Sequence, residues 1–245
     1  MLRWMTAISG LFLTVFAAVA LSGPGRIDIT DGKVRYEVAH SIVDHGDVDI
    51  RDPKIEFTVL PGRGGRRYSQ YRFPQSAAGV AAILAADATG PVSEARRRFF
   101  FTLTSAVASA VLAATYAALF RRLGFGPKAS LLWAAGGIFC TPNWYYGTSS
   151  FDEILGTAAV VLAVALALGC RQCHPRAGAV AAGLALGLAF NCKQPLGIFV
   201  LPAMAALYDP GTGWRSQWGR LATAAALLAA GVAVYESYEW YKFPP

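Results

Sequence analysis

The sequence predicts an all-α protein, a polytopic transmembrane helix bundle of about seven spans with a large outer loop bearing short amphipathic helices. Three observations predict it. The 245 residues are 55% hydrophobic and only 15% charged, a composition of the membrane class. The apolar residues gather into runs, of which Trp4–Leu21 and Phe99–Phe120 carry no charge; each is about long enough to cross a hydrocarbon core of ~30 Å. The basic residues also fall unequally on the two sets of loops between the runs, as membrane topology demands.

Trp4–Leu21 is the first span. Arg3 and Ala18-Val19-Ala20 also fit a cleaved signal peptide, but the many later spans favour an uncleaved anchor. Phe99–Phe120 is the second span, and Ala129–Tyr146 and Ile154–Cys170 are the third and fourth. Ala177–Phe190, Pro195–Tyr208 and Leu221–Tyr235 are shorter than the ~20 residues of a full crossing. They bring the count to seven. Ala177–Tyr208 also fits a re-entrant hairpin around Asn191-Cys192-Lys193-Gln194.

If all seven cross, one set of loops holds Arg3, Arg121, Arg122, Lys128, Arg171, Arg176, Arg215 and Arg220. The opposite short loops hold only Lys193 and Lys242. This imbalance puts the N-terminus in the cytoplasm of a bacterial cell and makes residues 22–98 the first periplasmic loop of one transmembrane domain spanning 1–245. Arg96, Arg97 and Arg98 resist this scheme, since they precede the second span on the outer side. Ala77–Ala86 is too short to be a further crossing and reads as an interfacial helix. The net charge of +7 comes from these flanking residues, with no basic stripe interleaved with aromatics, so no nucleic-acid partner is expected.

Cys170-Arg171-Gln172-Cys173-His174 matches the spacing of c-type haem attachment. The charge count places it in the cytoplasm, away from where haem is attached, and no haem is expected. Cys140 and Cys192 lie in or beside spans as ordinary small apolar side chains. No cluster of metal-ligand spacing is present, so no metal site is assigned.

Within the long loop, Val34, Val38 and Ile42 recur at helical spacing and Gly46 is a natural stop. Asp31 then opens a short amphipathic helix, where Thr30 or Asp31 would serve as the N-cap. Gly62-Arg63-Gly64-Gly65-Arg66-Arg67-Tyr68 fits no nucleotide motif and reads as a hairpin. Asp152 and Glu153 suit the N-terminus of the fourth span, and Trp144, Tyr145 and Tyr146 an interfacial belt. On this topology Asp31, Asp152, Glu153 and Lys193 all face one side of the bilayer. Acids and a cation gathered there would handle an acceptor hydroxyl and a phosphate leaving group.

The chain also resembles a known family. Asp31-Gly-Lys-Val-Arg35-Tyr36 after a first helix, Ala39 to Ile50, Tyr68-Ser69-Gln70-Tyr71, Arg121-Arg122-Leu123-Gly124-Phe125, Thr141 to Tyr146 with Phe151-Asp152-Glu153, and Gly187 to Lys193 follow one another as in GT-C superfamily glycosyltransferases. The subgroup is that of bacterial proteins related to the protein mannosyltransferases and the aminoarabinose transferase. The resemblance implies transfer of a sugar from a polyprenyl-phosphate donor at the periplasmic face of the inner membrane. It implies Asp31 as base toward the acceptor hydroxyl, Glu153 as the second-loop acid with Asp152 beside it, and Lys193 against the donor phosphate. Arg35, Tyr36, Tyr68 and Tyr71 would shape the substrate site, and a divalent cation is used by some relatives and not others.

The chain departs from that pattern at Tyr71-Arg72-Phe73-Pro74-Gln75, which lacks a glycine before the glutamine. Relatives are roughly twice as long, so the resemblance implies an N-terminal part: a fragment, a truncated pseudoenzyme, or half of a split protein whose second chain supplies the remaining helices. The alternative from another class is a non-catalytic scaffold, transporter or assembly subunit. Gly183-x-x-x-Gly187 favours close helix packing under either reading.

Overall fold

A backbone in hydrocarbon can satisfy its N–H and C=O groups within a single segment only as a helix, and the apolar runs fold accordingly. The computed structural model describes residues 2–170, 175–209, 211 and 213–244. Among these, α1 (Leu2–Ser22) is followed by α2 (Thr30–His45), a short hairpin of β1 (Val59–Pro61) and β2 (Arg67–Ser69), and α3 (Phe73–Ala88). Then come α4 (Glu94–Arg122), α5 (Pro127–Phe139), α6 (Asn143–Thr148), α7 (Glu153–Cys170), α8 (Pro175–Cys192), α9 (Val200–Leu207) and α10 (Trp214–Lys242). Three helices, Arg3–Ser22, Glu94–Arg122 and Trp214–Lys242, are long and apolar enough to cross a membrane. Glu153–Gly169, Arg176–Cys192 and Gln194–Leu207 are shorter apolar helices. The fold is all-α apart from the hairpin.

Helix α4 is the floor of the bundle. Its buried face is built of Ser105, Ala106, Ser109, Ala110, Ala113 and Ala117, small enough for neighbours to approach closely. Val15 and Val19 of α1 and Ile154 and Ala158 of α7 pack there; α1 runs antiparallel to α4, with Trp4 beside Arg121, and α7 runs parallel to it, with Ala165 beside Arg122. On the far side of α7, α8 and α10 lie parallel and nearly in backbone contact. A Cβ on Gly231 would sit 2.6 Å from the Gly187 Cα, and one on Gly183 would sit 2.8 Å from the Ala224 carbonyl. Asn191 Nδ2 closes this crossing by donating to the carbonyls of Gly187 (2.8 Å) and Gly231 (2.7 Å).

Several expectations need adjustment. The run Ala129–Tyr146 is not one helix. It breaks at Thr141-Pro142, where proline supplies no N–H, leaving α5 with 13 residues, about 20 Å long, and α6 as a single separate turn and a half. Arg96, Arg97 and Arg98 lie inside α4 rather than before it, and neighbouring carboxylates answer them, as described below. Ala77–Ala86 falls within α3, which packs against α2 and α4. Lys193 is the turn between α8 and a 3-10 segment, Gln194–Phe199, that leads into α9. Leu196 packs on α7 near Gly156, and Leu207 packs beside Ala167 and Ala179. Both legs around Asn191 thus extend along α7. Residues 171–174 of the haem-like pattern lie outside the described residues.

The glycine-arginine stretch forms the predicted hairpin, with Gly64 and Gly65 at φ of +63° and +72°, backbone that glycine adopts without strain. Its arginines are engaged within the protein: Arg63 covers the Tyr241 ring, Arg66 pairs with Asp47, and Arg67 donates to the carbonyls of Asp52 and Ile55. The last turns of α10 dock beneath it.

Candidate functional site

Helix α2 ends as its sequence predicts, with Gly46 in the left-handed region at φ +69° donating its N–H to Ile42. Its start differs. The cap residue is Ile29, and no side chain caps the helix. The Asp31 carboxylate is therefore not occupied with backbone N–H groups. Asp31 and Arg35, four residues apart, share one face, with Asp31 Oδ2 3.9 Å from Arg35 Nη1. Gly32 lies between them because a Cβ would come within 2.6 Å of Ser150, so α2 presses directly onto the segment before α7. That contact brings Asp152 Oδ1 within 3.0 Å of Arg35 Nη2.

The first loop supplies the rest of the wall. The Tyr71 ring lies 4.1 Å beneath the Arg35 guanidinium. Burial, and the hydrogen bond its hydroxyl shares with Asp31, push Tyr71 up to about 12. Gln75 donates to the Ser150 carbonyl at 3.0 Å, holding α3 to the α7 entry. On the opposite side Lys193 pairs with Glu153. Asp31, Arg35, Tyr71, Asp152, Glu153 and Lys193 therefore form one cluster at the end of the bundle where α1 and α8 finish and α4 and α7 begin.

At the centre of the cluster Arg35 and Asp152 are buried, and the cluster is incompletely satisfied. Arg35 is 3% exposed and Asp152 4%. Arg35 Nε and Nη1 and Glu153 Oε2 are buried without a hydrogen-bond partner, and Asp152 Oδ1 has its ion pair with Arg35 Nη2 alone. Burial pushes the Asp152 carboxyl above the usual carboxylate range, against the pull of Arg35. Buried polar atoms without partners are costly, at about 1–3 kcal/mol each, and are uncommon. Here they are concentrated where a polar ligand would satisfy them.

Two predicted residues lie elsewhere. Tyr36 is one residue past Arg35 and so about 100° around the helix; its hydroxyl donates to Glu94 Oε2 at 2.9 Å and its ring meets Phe101. Tyr68 is buried beneath the hairpin against Tyr241 and Phe243. Arg72, which sequence reasoning passed over, reaches across to donate to the Phe190 carbonyl (3.3 Å) and lies 4.3 Å over the Tyr235 ring. Those partners are 118 and 163 residues away, and no local spacing signals them. Among the described residues no three His, Cys, Asp or Glu side chains gather as a metal site.

An apolar trench runs along α4. Two hollows of about 480 and 290 Å³ meet at Val111 and Leu162. Phe100, Leu103, Val107, Val111, Ala114, Ala118 and Arg122 of α4 line them, a helical stripe about 33 Å long at 1.5 Å per residue. Helices α1 and α7 form the walls, and Ala78, Ala81 and Ala82 of α3 close the upper end. A small pocket there, lined by Gln75, Phe151 and Ile154, shares Ala78, Thr104 and Leu155 with the trench. Phe151 and Ile154 flank Asp152 and Glu153 in the chain. Comparison with protein families, curated proteins and solved structures returns no match for this chain.

Proposed function

We propose that the chain is a glycosyltransferase that moves a sugar from a polyprenyl-phosphate donor to an acceptor hydroxyl, at the periplasmic face of a bacterial inner membrane. One observation carries the reading. A carboxylate, Asp31, stands beside a buried arginine with unpartnered N–H groups, at the same end of the bundle as the α3-lined end of an apolar trench about as long as a bilayer is thick. A lipid with an anionic head and a long apolar chain matches that pairing of polar head site and apolar groove. The seven-span topology with the N-terminus in the cytoplasm belongs to the same reading, since it sets the cluster outside.

In the reaction Asp31 takes the proton from the acceptor hydroxyl as its oxygen attacks the anomeric carbon. The bond from that carbon to the phosphate oxygen breaks, and its electron pair leaves with the lipid phosphate. Arg35 and Lys193 oppose the charge that develops on the phosphate, in a site sheltered enough for charges to interact strongly. Lys193 serves there as a point charge rather than a bidentate fork. Glu153 holds Lys193, Asp152 holds Arg35, and Tyr71 orients Asp31.

The test uses the purified chain in nanodiscs with a radiolabelled polyprenyl-phosphate sugar, following release of polyprenyl phosphate. Asp31→Asn is expected to lower turnover by roughly 10²–10⁴, the range of a lost general base, with insertion unchanged. Equal turnover in the variant would remove Asp31 from its role. No turnover in either protein would favour the scaffold alternative.

A further inference from the structure

The end of α10 lies against the loop that carries Tyr71, and the contact is made by a lysine with no exposure to solvent. Lys242 is 0% exposed. Its Nζ donates to the carbonyls of Ser69 (2.9 Å) and Tyr71 (3.4 Å) and to Glu239 Oε1 (2.9 Å), and it lies 4.2 Å over the Tyr238 ring. An ammonium has three N–H donors, and here each has an acceptor. The Ser69 and Tyr71 carbonyls bracket a tight turn that is closed by the Tyr71 N–H on Ser69 Oγ at 2.9 Å. Clamping both carbonyls fixes the turn, and with it the direction in which the Tyr71 ring leaves the backbone.

The neighbouring contacts point the same way. Phe73 packs on Tyr238 at 5.3 Å between centroids, and Arg72 holds Tyr235. Gly62 of the hairpin sits where a Cβ would collide with the Lys242 carbonyl and come within 2.7 Å of the Tyr68 ring. Residues 69–73 are thus bound along one side of α10 by Tyr235, Tyr238 and Lys242. On their other side only Tyr71 enters the cluster, under Arg35 and against Asp31.

We infer that Lys242 is a positioning residue of the site: it touches no cluster residue's side chain, and it acts through Tyr71, whose ring and hydroxyl set Arg35 and Asp31. The inference rests on the proposed transferase reading for its kinetic consequence, but the positioning itself is independent of any activity. It also means that the first loop reaches its working form only once the last helix has docked.

A double-mutant cycle on the full chain in nanodiscs tests it, with the polyprenyl-phosphate sugar as donor. Lys242→Met is expected to lower kcat roughly 10- to 100-fold, the cost of a displacement on the order of 1 Å. In a Tyr71→Ala background the same substitution should cost almost nothing more, because coupled residues are not additive. Hydrogen exchange should show protection lost over residues 58–73 and retained in α4 and α7. Gly62→Ala presses on the same contact without touching the ammonium and should give the same exchange pattern. Additive losses, or unchanged protection of 58–73 in both variants, would overturn the inference. If the unaltered chain transfers nothing, the transferase reading fails and the exchange pattern alone decides, confined loss supporting the positioning role and full retention refuting it.

Discussion

Arg35 on α2 and Arg97 on α4 are both nearly inaccessible, at 3% and 6% exposure, yet their surroundings are opposite. Arg97 uses Nε and Nη2 on the two oxygens of Asp87 (2.8 and 2.7 Å) and Nη1 on Asp44 Oδ2 (3.0 Å). Around it Arg98 bonds Glu94, His40 pairs with Asp44, and Tyr36 donates to Glu94. That lattice is complete, and it ties α2, α3 and α4 together. Arg35 has one close ion pair, a ring beneath it, and two nitrogens with nothing to bond. A satisfied buried charge ties a junction together, whereas an unsatisfied one is costly and leaves donors open to water or another molecule.

Breaking the two arginines separates these roles. Arg35→Met should lower transfer by roughly 10²–10³, the loss of one preorganised donor. It should also destabilise the chain by about 3–5 kcal/mol, because Asp152 is left buried and unpaired. Arg97→Gln should lower the thermal midpoint in nanodiscs while transfer by the folded fraction stays as it was. If instead Arg97→Gln abolishes transfer with the midpoint unchanged, the division between the two networks is wrong.

Lys193→Met comes next, with a loss of roughly tenfold in transfer, the scale of one partly solvated charge. Lys193→Arg should restore most of it. Tyr71 gives a pH signature. Its pKa is about 12 in the folded chain and near 10 when unfolded. The folded state therefore holds the proton more tightly, and its contribution to stability is present below pH ~10 and lost as the pH rises through ~12. Tyr71→Phe should flatten the fall in thermal midpoint between those values, and Asp31→Asn should shift that fall toward pH ~10. The smallest effect belongs to Tyr36→Phe. One hydroxyl bond to the half-exposed Glu94 is worth about 0.5–1.5 kcal/mol, and transfer should not change.

Much of this was legible beforehand. Apolar runs without charges must be helices in hydrocarbon, so α1 and α4 followed from composition. The i, i+4 spacing of Asp31 and Arg35 put them on one face, and the same geometry turned Tyr36 away, although the family pattern grouped all three. The break at Thr141-Pro142 was also visible in principle, since Pro142 supplies no N–H, but the surrounding apolar residues read as continuous. The capping role expected for Thr30 or Asp31 failed because Asp31 had better partners in Arg35 and Tyr71, and those are tertiary. Lys242 and Arg72 were illegible for the same reason. Their acceptors are backbone carbonyls of distant segments, which leave no mark on side-chain spacing. The hairpin itself was legible from its glycines, but the partners of its arginines, Asp47, Tyr241 and two carbonyls, were not.

The most direct test of the central claim is binding of polyprenyl phosphate alone, without sugar or acceptor, to the nanodisc-embedded chain by native mass spectrometry. The unaltered chain and Arg97→Gln should bind equally, and Arg35→Met should bind at least tenfold more weakly, about 1.4 kcal/mol. Equal binding by Arg35→Met and the unaltered chain would contradict the claim that the unpartnered face of Arg35 receives the phosphate.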